Sequence, residues 1–370
     1  MANLKFNLTS LQDKAKERTV KTQSIEYDLE TLVKKIDKGI IKLDPDYQRR
    51  HRWGVETSSR LIESLILNIP IPTIYISQDV DVDSETEEYR YSVIDGQQRL
   101  TAMYNFFKGK YPLTGLETLE ELNECYHKDL PPFLIRRLEE RTVKCLRIDS
   151  TIDAQVKIDI FERLNSGSVK LEAQELRNAV FSGKFNLLCK ELAINENFRK
   201  LLQIDLTAPE MNNRVKKMED VELVLRFFTL IDGNYLNYKK SKERGFSDFL
   251  SDTIKSHNQH PDSEFERLKN EFQVTINTIL RDFGIIAFAK YKYENGTFKL
   301  QSRFNAGVYD ALATSCHDLI FHENITEFGD KRENFQRLFH DFEFYESISG
   351  SYLDTAKLKY RIEQTKLVLR

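Results

Sequence analysis

The spacing of apolar residues changes character along this chain. From Ser59 to Leu67 (SRLIESLIL) they recur at helical intervals. Ile69-Pro70-Ile71-Pro72 must end that helix, because proline lacks a backbone donor and disfavours helical geometry in the residue before it. Thr73 to Ser77 (TIYIS), Tyr89 to Ile94 (YRYSVI) and Thr142 to Ile148 (TVKCLRI) are β-branched and aromatic and predict strands. The acidic run from Asp79 to Glu88 reads as a solvated loop, and Arg99 to Phe107 (RLTAMYNFF) as a helix. From about Thr151 the period lengthens. Ile152, Val156, Ile160 and Leu164 mark one helical face, and Leu171 to Leu192 predicts a second long helix with a break near Gly183. Beyond Ile204 helices dominate, most clearly over Glu219 to Ile231, Ser263 to Phe283, Arg303 to Phe321 and Tyr352 to Leu369. The exception is Tyr291 to Leu300 (YKYENGTFKL), where Asn295-Gly296 between alternating residues signals a β-hairpin.

This pattern predicts an α+β chain: a small mixed sheet with helices, then a mostly helical domain carrying one hairpin. The chain has 370 residues, enough for about two domains at roughly 150 residues each. The boundaries expected are an N-terminal extension over 1–24, a first domain over 25–204 and a helical domain over 205–370.

Composition narrows the class. A 40% hydrophobic and 31% charged chain is globular rather than disordered. The net charge of −3 offers no global attraction to nucleic acid, so any such surface must be a local patch. No stretch reaches the roughly 18 apolar residues of a membrane span, and Met1 to Glu17 lacks the apolar run of a secretory signal. Cys125, Cys145, Cys189 and Cys316 are far apart and form no metal or disulfide spacing. The expected compartment is the cytosol.

Three segments carry candidate chemistry. In Ser92 to Thr101 (SVIDGQQRLT) a strand runs through glycine directly into a helix. A helix start presents unpaired N–H groups and the positive end of the dipole, which suits an anion. Gly96 permits close backbone approach, Gln97 and Gln98 add neutral donors and acceptors, and Arg99 adds a planar fork suited to phosphate oxygens. The same residues also fit a plain β-to-α turn with Asp95 as N-cap and Arg99 exposed.

The second segment, Asp44 to Trp53, gathers three arginines and a histidine beside Tyr47 and the only tryptophan. Rings can stack on a base and arginines can hold phosphates. A solvated basic loop with Trp53 as a core anchor fits equally. The third runs from Phe161 to Gly167 (FERLNSG) and on from Leu171 to Asn178 (LEAQELRN). There Asn165 and Gly167 suit a helix C-terminus, while Glu162 and Asn165 could offer oxygens to a metal bound to phosphates.

In this order, PDYQR-x-x-x-W, VIDGQQRLTA and FERLNSGSVKLEAQELRNA resemble the N-terminal domain of GmrSD-type restriction systems, a family within the ParB/sulfiredoxin-like superfamily. The resemblance is strong over roughly residues 25–200 and weaker through Lys216 to Phe228 and Arg303 to Leu312. It implies a ParB/sulfiredoxin-like fold and a nucleoside triphosphate pocket with Mg²⁺, in some members hydrolytic. By that analogy Gly96, Gln97, Gln98 and Arg99 hold phosphates, and Tyr47, Gln48 and Arg49 close over the nucleotide. Glu162 and Asn165 serve the metal, and Arg163 and Arg177 are further nucleotide contacts. Asp95, Arg99 and Glu162 are the catalytic candidates. Full-length fusions of the family also carry a His-Asn-His nuclease domain introduced by H-x-x-P. None of the seven histidines here heads that motif, and His257 to Pro261 (HNQHP) reads as a loop.

The favoured function is a nucleotide-binding switch, a sensor or regulatory component of DNA restriction or anti-phage defence. Two rivals stand beside it. One is a DNA-binding module without enzymatic activity, resting on Arg49 to Arg52, Lys216-Lys217 and Lys239 to Arg244. The other is a regulatory or antitoxin-like partner of a separately encoded nuclease. A sulfiredoxin-like reductase is disfavoured because no cysteine lies inside the DGQQR motif. The base of the nucleotide and the oligomeric state are open.

Overall fold

A computed structural model describes residues 21–43, 53–82, 89–149, 160, 173–181, 183–241 and 244–370. The chain divides into two compact units between Leu171 and Glu172. That is earlier than the boundary expected near 204, because Phe185, Leu188, Leu192, Phe198 and Leu201 all join the second unit's core.

In the first unit, β1 (Thr22–Asp28), β2 (Ile41–Lys42), β3 (Ile74–Val82), β4 (Tyr89–Asp95) and β5 (Thr142–Ile148) form one sheet in the order β1-β5-β3-β4-β2. The β1/β5 and β3/β4 pairs are antiparallel, and the β5/β3 and β4/β2 pairs are parallel, so the sheet is mixed as the pattern predicts. Helices α1 (Leu29–Asp37), α2 (Val55–Ile66), α3 (Gln97–Phe107) and α4 (Pro132–Glu139) belong to the same unit. The backbone N–H of Thr31 donates to Asp28 at 2.7 Å, which satisfies an orphan donor at the start of α1. Leu32, Ile62, Leu65, Ile74, Ile76, Leu100, Met103 and Phe106 share one buried core. The first part of the acidic run departs from expectation, since β3 extends into it as far as Val82, which pairs with Tyr89, while residues 83–88 lie outside the described residues. Pairing with β4 supplies a partner for backbone that composition alone assigns to solvent.

The second unit contains α5 (Ala173–Val180), α6 (Lys184–Ala193), α7 (Glu196–Leu201), α8 (Asn213–Lys216), α9 (Glu219–Leu230), α10 (Phe246–His257) and α11 (Asp262–Phe283). A two-stranded sheet follows, β6 (Lys290–Glu294) with β7 (Thr297–Ser302), then α12 (Ala306–Glu323), α13 (Arg332–Arg337), α14 (Phe342–Ser347) and α15 (Thr355–Leu369). The hairpin turns where expected: Asn295 and Gly296 both have positive φ, 52° and 79°, as a two-residue type I′ turn requires.

The helix expected over Leu171 to Leu192 is broken at Gly183, which caps α6. The Asn258 side chain fills the space a Cβ at Gly183 would need. Its Oδ1 accepts the Phe185 N–H at 3.1 Å, so a distant residue caps this helix. His257 accordingly ends α10 rather than lying in a loop, with its ring 4.5 Å from that of Phe185.

Candidate functional site

The DGQQR segment spans the end of β4 and the start of α3. Gly96 is the N-cap of α3, with φ 96° and ψ 11°, and the helix begins at Gln97, before the Arg99 expected. A Cβ at Gly96 would lie 2.9 Å from Ile74 Cγ1 and 3.2 Å from Cγ2. Both the left-handed backbone and the buried wall of Ile74 therefore demand glycine. Gly96→Ala is expected to cost about 1–3 kcal/mol through backbone strain and overpacking. A urea midpoint equal to wild type would contradict this.

The N-cap, a glycine, supplies no side-chain cap to the first turn of α3. Asp95, one of the expected caps, lies in β4 and turns its carboxylate to Arg99 Nη2 at 2.6 Å. Gln98 Oε1 instead accepts the backbone N–H of Trp53 at 3.2 Å, which ties the end of the Asp44 to Trp53 segment to DGQQR. Trp53 is 38% exposed, so it is not the core anchor considered above. Gln98 Nε2 and Thr101 Oγ1 are buried and have no hydrogen-bond partner among the described residues. A buried donor without an acceptor is costly unless something supplies one.

Arg99 requires a correction. Its guanidinium faces inward. Nη1 donates to the Pro72 carbonyl, with the Thr73 carbonyl at 3.5 Å, and Nη2 is held by Asp95. Through these bonds Arg99, expected to grip phosphate, straps the β3 entry to the β4–α3 turn, and Asp95, a catalytic candidate, takes part in the same strap.

Arg177 also departs from expectation. It belongs to the second unit, 2% exposed, with Nε on Gln174 at 2.8 Å, Nη1 on Ser247 at 2.9 Å and Nη2 on Glu222. Burial pulls its pKa below the ordinary arginine value, with Glu222 opposing. These three bonds and the burial turn the Arg177 guanidinium into the second unit's interior. Tyr47, Gln48, Arg49, Glu162, Arg163 and Asn165 lie outside the described residues, as does the basic run Arg49 to Arg52.

Three of the thiols, those of Cys145, Cys189 and Cys316, are buried. Burial pushes Cys145 up to about 12, with Arg99 opposing, and raises Cys189 and Cys316 further. Such thiols stay protonated and inert at neutral pH. The second unit has a cleft of about 430 Å³ lined by Gln203, Asn212, Arg214, Glu219, Arg303 and Phe304. Arg214 packs over the Phe304 ring at 4.1 Å and pairs with Glu219 at 3.5 Å. That cleft contains no residue of the three motifs. Among the described residues no helix is long and apolar enough to cross a membrane.

A mixed-sheet unit with a glycine-started helix is the setting of the DGQQR motif. Residues 29–182 match the family model described as the GmrSD restriction endonuclease, N-terminal domain, so this segment of the chain is a domain of that family. No curated protein and no solved structure matches the chain.

Proposed function

We propose that this protein is a sensor or regulatory component of a DNA restriction or anti-phage defence system, and that its first unit binds a nucleoside triphosphate at the start of α3. The observation that carries the reading is the Trp53–Gln98 hydrogen bond. It joins the ring-and-arginine segment to a glycine-started helix beside the Gln98 amide. Backbone N–H groups at such a start, with the dipole behind them, favour phosphate oxygens. The Gln98 Nε2 donor supplies a contact that the described residues leave unused.

Arg99 then acts as a positioning residue, holding the turn rather than touching phosphate. Mg²⁺ bound with the phosphates would neutralise their charge. By the family resemblance, Glu162 and Asn165 would be its protein ligands and Tyr47, Gln48 and Arg49 would cover the nucleotide. The ParB/sulfiredoxin-like reading of the sheet belongs to the same proposal.

The test is calorimetry with ATP, GTP, CTP and UTP in Mg²⁺, paired with phosphate release measured with and without DNA. At least one nucleotide is expected to bind. Gln98→Ala is expected to weaken it about 10- to 100-fold, the worth of a hydrogen bond to a charged group. Failure of all four nucleotides to bind the wild-type chain would end this reading. DNA affinity that falls steeply with salt, in the absence of nucleotide binding, would replace it with the DNA-binding module.

A further inference from the structure

In the second unit, four side chains unrelated to the three motifs converge. Asp232, His317, Asp318 and His322 offer ligand atoms that all lie within 4.8 Å of one another. Three come from α12, and Asp232 comes from the turn after α9, where it holds a left-handed φ of 58°. We propose that these residues form a site for a divalent transition-metal cation of the zinc type.

The spacing fits such an ion. His322 Nε2 lies 2.8 Å from Asp232 Oδ1, His317 Nδ1 lies 3.1 Å from Asp318 Oδ1, and His317 Nδ1 lies 3.9 Å from Asp232 Oδ1. A tetrahedral zinc with bonds of about 2.0–2.2 Å sets neighbouring ligand atoms roughly 3.3–3.6 Å apart, so small rotations of side chains close the shell. Two imidazoles with two carboxylates favour zinc over the hard cations magnesium and calcium, which prefer all-oxygen shells.

A second observation concerns the far side of His317. Its Nε2 faces Glu271 Oε2 at 3.4 Å, and Glu271 is itself held by Arg267 from the same helix, α11. A carboxylate behind a histidine keeps the proton on that nitrogen and directs the other nitrogen's lone pair at a metal. His317 is fully buried and Asp318 nearly so, while His322 and Asp232 are about half exposed, which gives the ion a path in. The surrounding charges are compatible. Lys366 holds Asp318 Oδ2, and the Asp232 N–H donates to Asp318 Oδ1 at 2.9 Å, so Oδ1 would ligate through its second lone pair. The three carboxylates of Asp232, Asp318 and Glu271 outnumber the two cations that face them, Lys366 and Arg267. A bound ion would pin the turn after α9 to α12.

The test is a zinc chloride titration of the full chain after EDTA treatment, followed by calorimetry and by thermal unfolding. About one zinc per chain is expected, together with a rise in Tm. His322→Ala and Asp232→Ala alter exposed side chains and are expected to lose tenfold or more in zinc affinity while folding normally. Glu271→Gln is expected to lose about 10- to 100-fold. Cobalt(II) in place of zinc should give the intense visible bands of a tetrahedral site. Zinc that fails to bind, or that binds His322→Ala as tightly as wild type, overturns the proposal.

Discussion

Asp310→Ala is expected to destabilise the second unit by about 3–5 kcal/mol, the cost of leaving a buried charge without its partner. Asp310 sits on α12 at 1% exposure and receives two arginines. Arg226 from α9 donates through Nε at 3.0 Å and through Nη2, and Arg361 from α15 donates through Nη2 at 2.7 Å. Both guanidiniums are also buried, 2% and 0% exposed. Burial works against the charge on each. At Arg226 the Asp310 carboxylate more than offsets it and holds the pKa above the ordinary arginine value. At Arg361 burial prevails and the pKa falls, although Asp310 opposes it.

The difference has a physical cause: Arg226 has a bidentate grip on Asp310, while Arg361 shares one oxygen and lies close to the Arg226 charge. Removing the anion strands two cations in the core, against a total stability of roughly 5–15 kcal/mol for a domain. Asp310→Asn preserves shape and should lose nearly as much, because charge rather than volume is what the site requires. Urea unfolding measures both. If both variants unfold within about 1 kcal/mol of wild type, the charge cluster does not hold these three helices together.

Arg99→Ala is expected to cost about 2–3 kcal/mol and to abolish nucleotide binding as a consequence. The substitution leaves the Pro72 and Thr73 carbonyls and the Asp95 carboxylate without their donor, at a site where the Arg99 side chain is 11% exposed and that of Asp95 27%. Each stranded group carries a desolvation penalty of about 1–3 kcal/mol, reduced here by partial solvent access. Arg99→Lys keeps the charge but cannot span the carbonyls and the carboxylate together, so it should recover only part of the loss. Urea unfolding and nucleotide calorimetry on both variants separate a strap from a phosphate ligand. Full stability in Arg99→Ala with binding lost would restore the direct phosphate contact and remove the strap.

Much of the architecture was legible from local pattern. The helices over Ser59 to Leu67 and Glu219 to Ile231, the strand over Thr142 to Ile148 and the Asn295-Gly296 hairpin were all correctly placed by periodicity and turn chemistry. These signals are short-range, since period and turn conformation depend on neighbouring residues. Thr22 to Asp28 was missed as a strand; its exposed outer positions carry little apolar alternation, and it becomes a strand by pairing with β5 far along the chain.

The candidate site was legible as a motif, while its side-chain geometry was not. Gly96 was expected to let the backbone approach a ligand; the group that its missing Cβ leaves room for is Ile74 from the neighbouring strand. Spacing also placed Arg99 at the turn but could not say which way its side chain points. That direction is decided by the carbonyls of Pro72 and Thr73, which only the docking of β3 beside β4 brings within reach. Arg177 shows the same limit, as its partners Glu222 and Ser247 lie on other helices.

By itself the sequence determined the order of the elements, the hairpin turn and the GmrSD family of the first domain, because each of these is written in residues close together along the chain. Only the tertiary structure decided that Arg99 is a strap, that Trp53 is tethered to Gln98, and that Asp232 stands beside His317, Asp318 and His322. Those are contacts across folded distance, and the free energy that selects them comes from burial and charge pairing between segments that local propensity treats independently.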